Sequence, residues 1–459
     1  MTAGMEAMDD MDELVVEGGS PLKGSVEVRG AKNVVTKLMV ASMLTDEPCI
    51  FSNVPSIGDG RLTQAICQSM GMRCRQSSEH VLAVQTSDII RSDVPAEYAG
   101  SNRLAIMLLG PLLHRKGRAV IPAVSGGDRI GPRPVDFHLE GYRMMGANIE
   151  VRDQAYLVRA PQRLKGTEII LPYPSVTTTE NLLIAAVLAE GKTFIRNAAI
   201  EPEVMDLIMF LQKMGAIIDY NVDRTLAIEG VKSLGGTKHE IMPDRIVAAS
   251  LGAAAIATGG DIFVKGARQA DMSTFLNALR RIGGGFDVES DGIRFYRQGE
   301  LKSITLETNV HPGFMTDWQP PFVILLTQAH GISVVHETVF EDRFGYVKEL
   351  QRMGADVGLY DTCLGRLPCR FASSNYKHSC VIKGPTRLHG ADVSIPDLRA
   401  GFTYLIAAIL AEGTSVIDGV HHLDRGYESI DKTLCALGAK ITRRCGSYAS
   451  ESSAVTAKQ

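Results

Sequence analysis

Residues 168–198 read EIILPYPSVTTTENLLIAAVLAEGKTFIRNA, and residues 392–420 read DVSIPDLRAGFTYLIAAILAEGTSVIDGV. Each passes from a short β-branched run through a polar turn into an apolar stretch. Each then breaks at Glu-Gly and closes on a second β-branched run. That order predicts strand, helix, strand. The central stretch is apolar nearly all round, so the helix is expected to be buried rather than amphipathic. Residues 240–267 and 25–54 follow the same plan, and residues 102–124 and 308–338 follow it more loosely.

A second phrase follows each copy: a helical stretch ending in Met/Leu-Gly-Ala or a variant, then a strand. It occurs as LTQAICQSMGMRC, LEGYRMMGANIEV, MDLIMFLQKMGAIIDY, FLNALRRIGGGFDV, VKELQRMGADVGL and IDKTLCALGAKIT. Its glycines, Gly71, Gly146, Gly215, Gly283, Gly354 and Gly438, stand roughly 70 to 85 residues apart. A period of this kind marks a repeated supersecondary unit. No unit can cover its own buried helix, and six units can make a closed array or two groups of three.

The bulk numbers fit this picture. The chain has 459 residues, of which 45% are hydrophobic and 22% charged, enough for more than one domain with a sizeable core. A net charge of -4 gives no electrostatic case for nucleic acid as a partner. The acidic start has no apolar stretch of signal-peptide type, and no apolar run approaches a membrane span, so a cytoplasmic location is expected. The eight cysteines show no C-x-x-C pair and no Cys/His spacing that suits zinc. Cys363 and Cys369 in CLGRLPCRF read as reduced thiols in a surface insertion.

The turns between first strand and buried helix hold the concentrated chemistry: GAKN, SNR, PSVTTTEN, PDR, TDWQ and PDLR. A helix N-terminus attracts anions through its free N–H groups and its dipole. If these termini converge, they make a site for phosphates and carboxylates. GGDRIG at 126–131 has G-x-x-x-x-G spacing but no Lys-Ser/Thr follows, which disfavours a P-loop.

With GPRPVDFH, PSV…TEN, PDRI, PGFMTDWQ, ETVFEDRF, PDLR and HLDRGYE in that order, nearly the whole chain resembles the enolpyruvyltransferase family. The resemblance implies an α/β fold: a two-domain inside-out α/β barrel of six βαββαβ-type repeats, three per domain, with the helices buried. One domain would take residues 1–33 and 241–459. The other would take residues 34–240 and carry a mobile loop at 123–134, with the active site in the cleft. The reaction implied moves the enolpyruvyl group of phosphoenolpyruvate onto an acceptor hydroxyl and releases phosphate. It calls for an acid, a base and strong anion binding, with no metal or cofactor.

Residue by residue, the resemblance places Lys32, Arg103, Arg133, Arg399 and Arg425 on phosphoenolpyruvate. Guanidinium forks suit carboxylate and phosphate because they bind at two points. Asp317 matches the carboxylate that takes the acceptor's proton, although an Asp before a buried helix also reads as an N-cap. Trp318 either lines the cleft or packs. Asn33, Arg133, Pro134, Val135, Asp136, Ser175, Val176, Thr177, Asp317 and Val339 match positions that bind a uridine nucleotide. Lys32 and Arg425 also count among the expected catalytic groups, and oligomeric state is left open.

Asp128 departs from the commoner family pattern, in which a cysteine of the loop acts as acid and takes up phosphoenolpyruvate covalently. Some cell-wall members also carry Asp there. Arg129 and Arg133 flank it, and Pro132 stiffens the turn. Burial would raise its pKa while the arginines lower it. The reading is that Asp128 is the general acid; the alternative is that it neutralises Arg129. At Thr177 cell-wall members usually carry Gly, where the backbone nears the diphosphate of UDP-N-acetylglucosamine. The branched side chain would narrow that space unless it merely caps the helix. The sequence therefore leans toward uridine monophosphate, the acceptor of the nikkomycin and polyoxin branch, over UDP-N-acetylglucosamine. A non-catalytic nucleotide binder is the third reading. Fosfomycin alkylates the family's loop thiolate, so this chain should be insensitive to it; a covalent adduct in the intact mass would refute that.

Overall fold

The computed structural model describes residues 12–100, 103–122, 134–152, 154–160 and 162–445. Its described strands form six sheets. The quoted 168–198 stretch folds as expected. Strand Glu168–Ile170 lies parallel to strand Lys192–Arg196, with helix Val176–Ala186 between them in the chain. Strand Asp392–Ser394, helix Leu398–Leu410 and strand Thr414–Asp418 repeat the arrangement. These helices are interior: in Arg245–Ala257 every residue but Val247 is buried. Antiparallel strands then widen each sheet, as Leu226–Glu229 and Ile217–Tyr220 do.

All six phrase-ending glycines adopt positive φ, from +84° at Gly283 to +114° at Gly71. Only glycine takes this left-handed turn without a Cβ clash, and it ends the preceding helix. The residue after the glycine donates its N–H back into the last turn, as in Met72 to Cys67 O at 3.0 Å and Ala216 to Leu211 O at 3.0 Å. The repeat seen in the sequence is thus a repeated helix stop.

The interior is two apolar clusters. One gathers core residues from 14–28 and 248–439, the other from 31–242. Two units depart from simple repetition, because they exchange strands where the chain passes between the clusters. Strand Lys23–Glu27 precedes helix Lys32–Ser42 but pairs with Asp261–Lys265, the strand after helix Arg245–Ala257. Conversely, strand Lys238–Glu240 pairs with Cys49–Ser52. The two passages are tied where they cross: Ala31 N–H donates to Met242 O at 2.8 Å and Asp244 N–H to Arg29 O at 2.9 Å.

Gly30 lies at that crossing because nothing larger fits. A Cβ there would sit 2.0 Å from Asn53 O and 2.9 Å from the Ile241 side chain. Gly30→Ala should therefore lower stability by about 1–3 kcal/mol, the usual cost of overpacking. An unchanged urea midpoint would show the crossing to be looser than described.

Candidate active site

A cavity of about 360 Å³ opens between the two clusters. On one wall are Asn33, Arg103, Pro134, Asp136, Ser175, Val176 and Thr177. On the other are Asp317, Val339 and Arg399. Ten of the expected site residues therefore meet in one space, several of them, such as Asn33, Ser175 and Arg399, at the starts of buried helices.

Ser175 is the N-cap of helix Val176–Ala186, accepting from Thr178 N–H at 3.4 Å. Thr177 is thereby relieved of capping and stands partly exposed on the cavity wall. The capping alternative for Thr177 fails, and the residue lines the cavity.

Asp317 is buried between two guanidinium groups. Arg343 reaches Oδ1 at 3.2 Å, and Arg399 reaches Oδ1 at 2.5 Å and Oδ2 at 3.0 Å. Burial by itself would push this carboxyl up, but Arg399 and then Arg343 outweigh it and hold Asp317 at about 2. It is ionised throughout the physiological range. Arg343 is fixed in turn by Thr316 Oγ1, which donates to Glu337 at 3.0 Å, while Glu337 accepts from Val339 N–H at 2.8 Å. One buried network thus sets both the carboxylate and the Val339 wall. Trp318 takes no part in lining. It packs with Phe275 and Phe314 at ring distances of 5.5 and 5.6 Å, which supports its packing role.

Three expected residues do not line the cavity. Lys32 Nζ is buried against Asp244 at 2.8 Å and lies 4.9 Å from the centre of the Tyr427 ring. Arg425 pairs with Asp59 at 3.0 Å, where the 425–428 segment docks on the opposite cluster. Val135 is a core residue behind the wall. Asp128, Arg129, Pro132 and Arg133 lie outside the described residues.

The structure adds groups that the sequence reading passed over. Arg245, from the quoted PDR turn, forms a two-point pair with Glu203 at 2.9 Å for both bonds and lines the cavity. Its signal was present in that motif. Arg370 enters the cavity from the cysteine-bearing insertion, 4.5 Å from the centre of the Tyr173 ring. Nothing local to its sequence announces this. Lys37, Glu201 and His311 complete the rim, with His311 pushed down to about 4 chiefly by burial, and therefore neutral.

Beneath that rim Glu180 is fully buried, with Lys37 as its nearest cation at 4.0 Å. Burial pushes it up to about 7, Lys37 opposes this, and Glu203 and Glu201 add to it. The sign follows from linkage. With the folded pKa above the unfolded one, the stabilisation from the protonated form is complete below the ordinary glutamate pKa and is lost as pH rises through about 7. Glu180→Gln, permanently neutral, should gain on the parent between pH 5 and pH 8 by on the order of 2 kcal/mol, at about 1.4 kcal/mol per pKa unit. Parallel pH profiles of thermal unfolding for the two proteins would contradict this.

The cavity thus sets arginines that can hold anions beside a carboxylate that stays ionised. The profile of the EPSP synthase (3-phosphoshikimate 1-carboxyvinyltransferase) family matches residues 16–434. The chain belongs to this family of enolpyruvyltransferases. A UDP-N-acetylglucosamine 1-carboxyvinyltransferase of Protochlamydia amoebophila is 51% identical over 438 residues, 94% of each chain. Its namesake in Chlamydia pneumoniae is 49% identical over 429 residues, 93% of this chain and 94% of its own. Among solved structures, the enolpyruvyl transferase NikO from Streptomyces tendae superposes with a TM-score of 0.84 at 23% identity, covering 95% of this chain and 99% of its own. EPSP synthase from Acinetobacter baumannii gives 0.75 at 17% identity, covering 94% and 99%. These two show the fold alone. Among the described residues no helix is long and apolar enough to cross a membrane.

Proposed function

We propose that this enolpyruvyltransferase uses UDP-N-acetylglucosamine as its acceptor, transferring the enolpyruvyl group of phosphoenolpyruvate to a sugar hydroxyl and releasing phosphate. The observation that carries this is identity near 50% over almost the full length with proteins of that named activity. The sequence reading had leaned toward uridine monophosphate. That reading now stands second, because the relatives near 50% identity are named for UDP-N-acetylglucosamine. Thr177 on the cavity wall is what still favours a smaller nucleotide.

In this account residues 1–33 with 241–459, and residues 34–240, act as two domains that close on substrate. The six sheets, three around each cluster, form the inside-out barrel. Asn33, Ser175, Val176 and Val339 bound the nucleotide, and Arg103 and Arg399 receive phosphoenolpyruvate. Asp128 protonates the methylene carbon, which makes the adjacent carbon electrophilic. Asp317 orients the acceptor hydroxyl and takes its proton as oxygen adds. Loss of a methyl proton then expels phosphate and restores the enol ether. A carboxylate held near 2 is a weak base, so Arg399 must turn from Asp317 toward the phosphate as the site closes. Arg425 joins by leaving Asp59, while Lys32 adds its positive charge from its place on Asp244.

Phosphate release should be seen with UDP-N-acetylglucosamine and not with uridine monophosphate. The reverse result would restore the second reading, and silence with both would support a non-catalytic binder. Asp317→Asn should lower kcat by about 10²–10⁴-fold, the range for general acid–base groups, with nucleotide affinity kept. An unchanged kcat would remove Asp317 from the chemistry.

A further inference from the structure

The cysteine-bearing insertion does not form a loose surface loop of thiols. It folds back on strand Ala329–His336 so that Cys363, Cys369, His336 and His378 bring one donor atom each within 4.8 Å of one another. Both histidines are fully buried and both cysteines are partly buried. Cys363 Sγ lies 3.3 Å from His378 Nε2. A tetrahedral zinc ion, with Zn–S about 2.3 Å and Zn–N about 2.0 Å, sets adjacent donors about 3.5 Å apart.

The surrounding hydrogen bonds decide which nitrogens are free. His378 Nδ1 is 2.7 Å from Tyr376 O, a carbonyl that only accepts, so the proton is on Nδ1 and Nε2 carries a lone pair. The Ser379 hydroxyl donates its one proton to Thr362 O at 2.7 Å. It must therefore accept from His336 Nδ1 at 2.9 Å, which leaves His336 Nε2 with a lone pair as well. That Nε2 is buried and has no hydrogen-bond partner among the described residues. Two imidazoles whose far nitrogens are anchored, with their near nitrogens turned on two sulfurs, form the outer arrangement that metal-bound histidines use.

We propose that Cys363, Cys369, His336 and His378 bind one structural zinc ion. Binding releases the two thiol protons, and two thiolates with two neutral imidazoles then balance the charge of Zn(II), as a buried site requires. The soft, tetrahedral Cys2His2 set favours zinc over magnesium or calcium, which take oxygen ligands. Sequence spacing hides the site: the three ligands of the insertion are set as C-x5-C-x8-H, and the fourth comes from a strand 27 residues before the first cysteine.

The knot sits next to the cavity. Arg370 follows Cys369 directly, donates to Val339 O, pairs with Glu341 at 3.5 Å and stacks over Tyr173. Backbone N–H groups of Arg366 and Leu367 bind Glu307, both at 2.8 Å. The ion thus fixes a loop that delivers a cation to the nucleotide wall; this consequence alone rests on the proposed function. Metal content is independent of it.

The full chain, purified with thiols reduced, should carry one zinc per molecule by mass spectrometry of its metals. Thiol modification should release it to a colorimetric chelator. Cys363→Ser with Cys369→Ser should lose the zinc, while Cys435→Ser, at an exposed thiol elsewhere, should keep it. Cobalt(II) in place of zinc should show the thiolate charge-transfer band of a tetrahedral site. Parent protein without zinc that also fails to take up zinc or cobalt would overturn the proposal, as would a Cys363–Cys369 disulfide in freshly reduced protein. The parent's own content needs no variant to fold.

Discussion

One carboxylate secures the place where the chain passes between its two interiors. Asp244 Oδ1 caps helix Arg245–Ala257 through Ile246 and Val247 N–H at 2.9 and 3.1 Å. Its Oδ2 takes both the backbone N–H and the ammonium of Lys32, the first residue of helix Lys32–Ser42, at 3.0 and 2.8 Å. Two buried helices, one from each cluster, are therefore begun by one side chain. A buried pair of this kind is costly to break singly, because the remaining charge has no water to turn to. The strand exchange on either side fixes where both helix N-termini point, and so where the cavity opens.

The electrostatics of that cavity divide its carboxylates into two kinds. Asp317 is as buried as Glu180, yet arginines hold it ionised while Glu180, with only a distant lysine, is pushed toward neutrality. The contrast arises from partners and not from depth. Glu203 also has an arginine partner, Arg245, which meets it at two points. Arginines and carboxylates thus pair around a space that the proposed anionic substrates would enter as replacements for existing ion pairs. Exchange of partners limits the desolvation cost on binding.

Much of this was legible in the sequence. The buried helices follow from apolar residues on every face, and the six glycines were visible as a period before their left-handed φ gave the reason. The turns that carry Asn33, Arg103, Ser175, Asp317 and Arg399 were marked by the same pattern. The strand exchange was not legible: a unit that pairs its own strands and one that trades them have the same local sequence. Nor were Arg370, or His336 beside the two cysteines, because their meeting depends on an irregular insertion folding onto a distant strand. Lys32 and Arg425 were identified by type and motif, but sequence does not show that they are engaged by Asp244 and Asp59. The residues at 123–133, Asp128 among them, lie outside the described structure.

The account depends most on Asp317 meeting the acceptor hydroxyl. The direct measurement is a crystal structure with UDP-N-acetylglucosamine and an unreactive phosphoenolpyruvate analogue. A sugar hydroxyl is expected within hydrogen-bond reach of Asp317, about 2.6–3.2 Å, with Arg399 turned onto the analogue. A bound nucleotide whose hydroxyls all lie beyond that reach, with Arg399 still on Asp317, would contradict it.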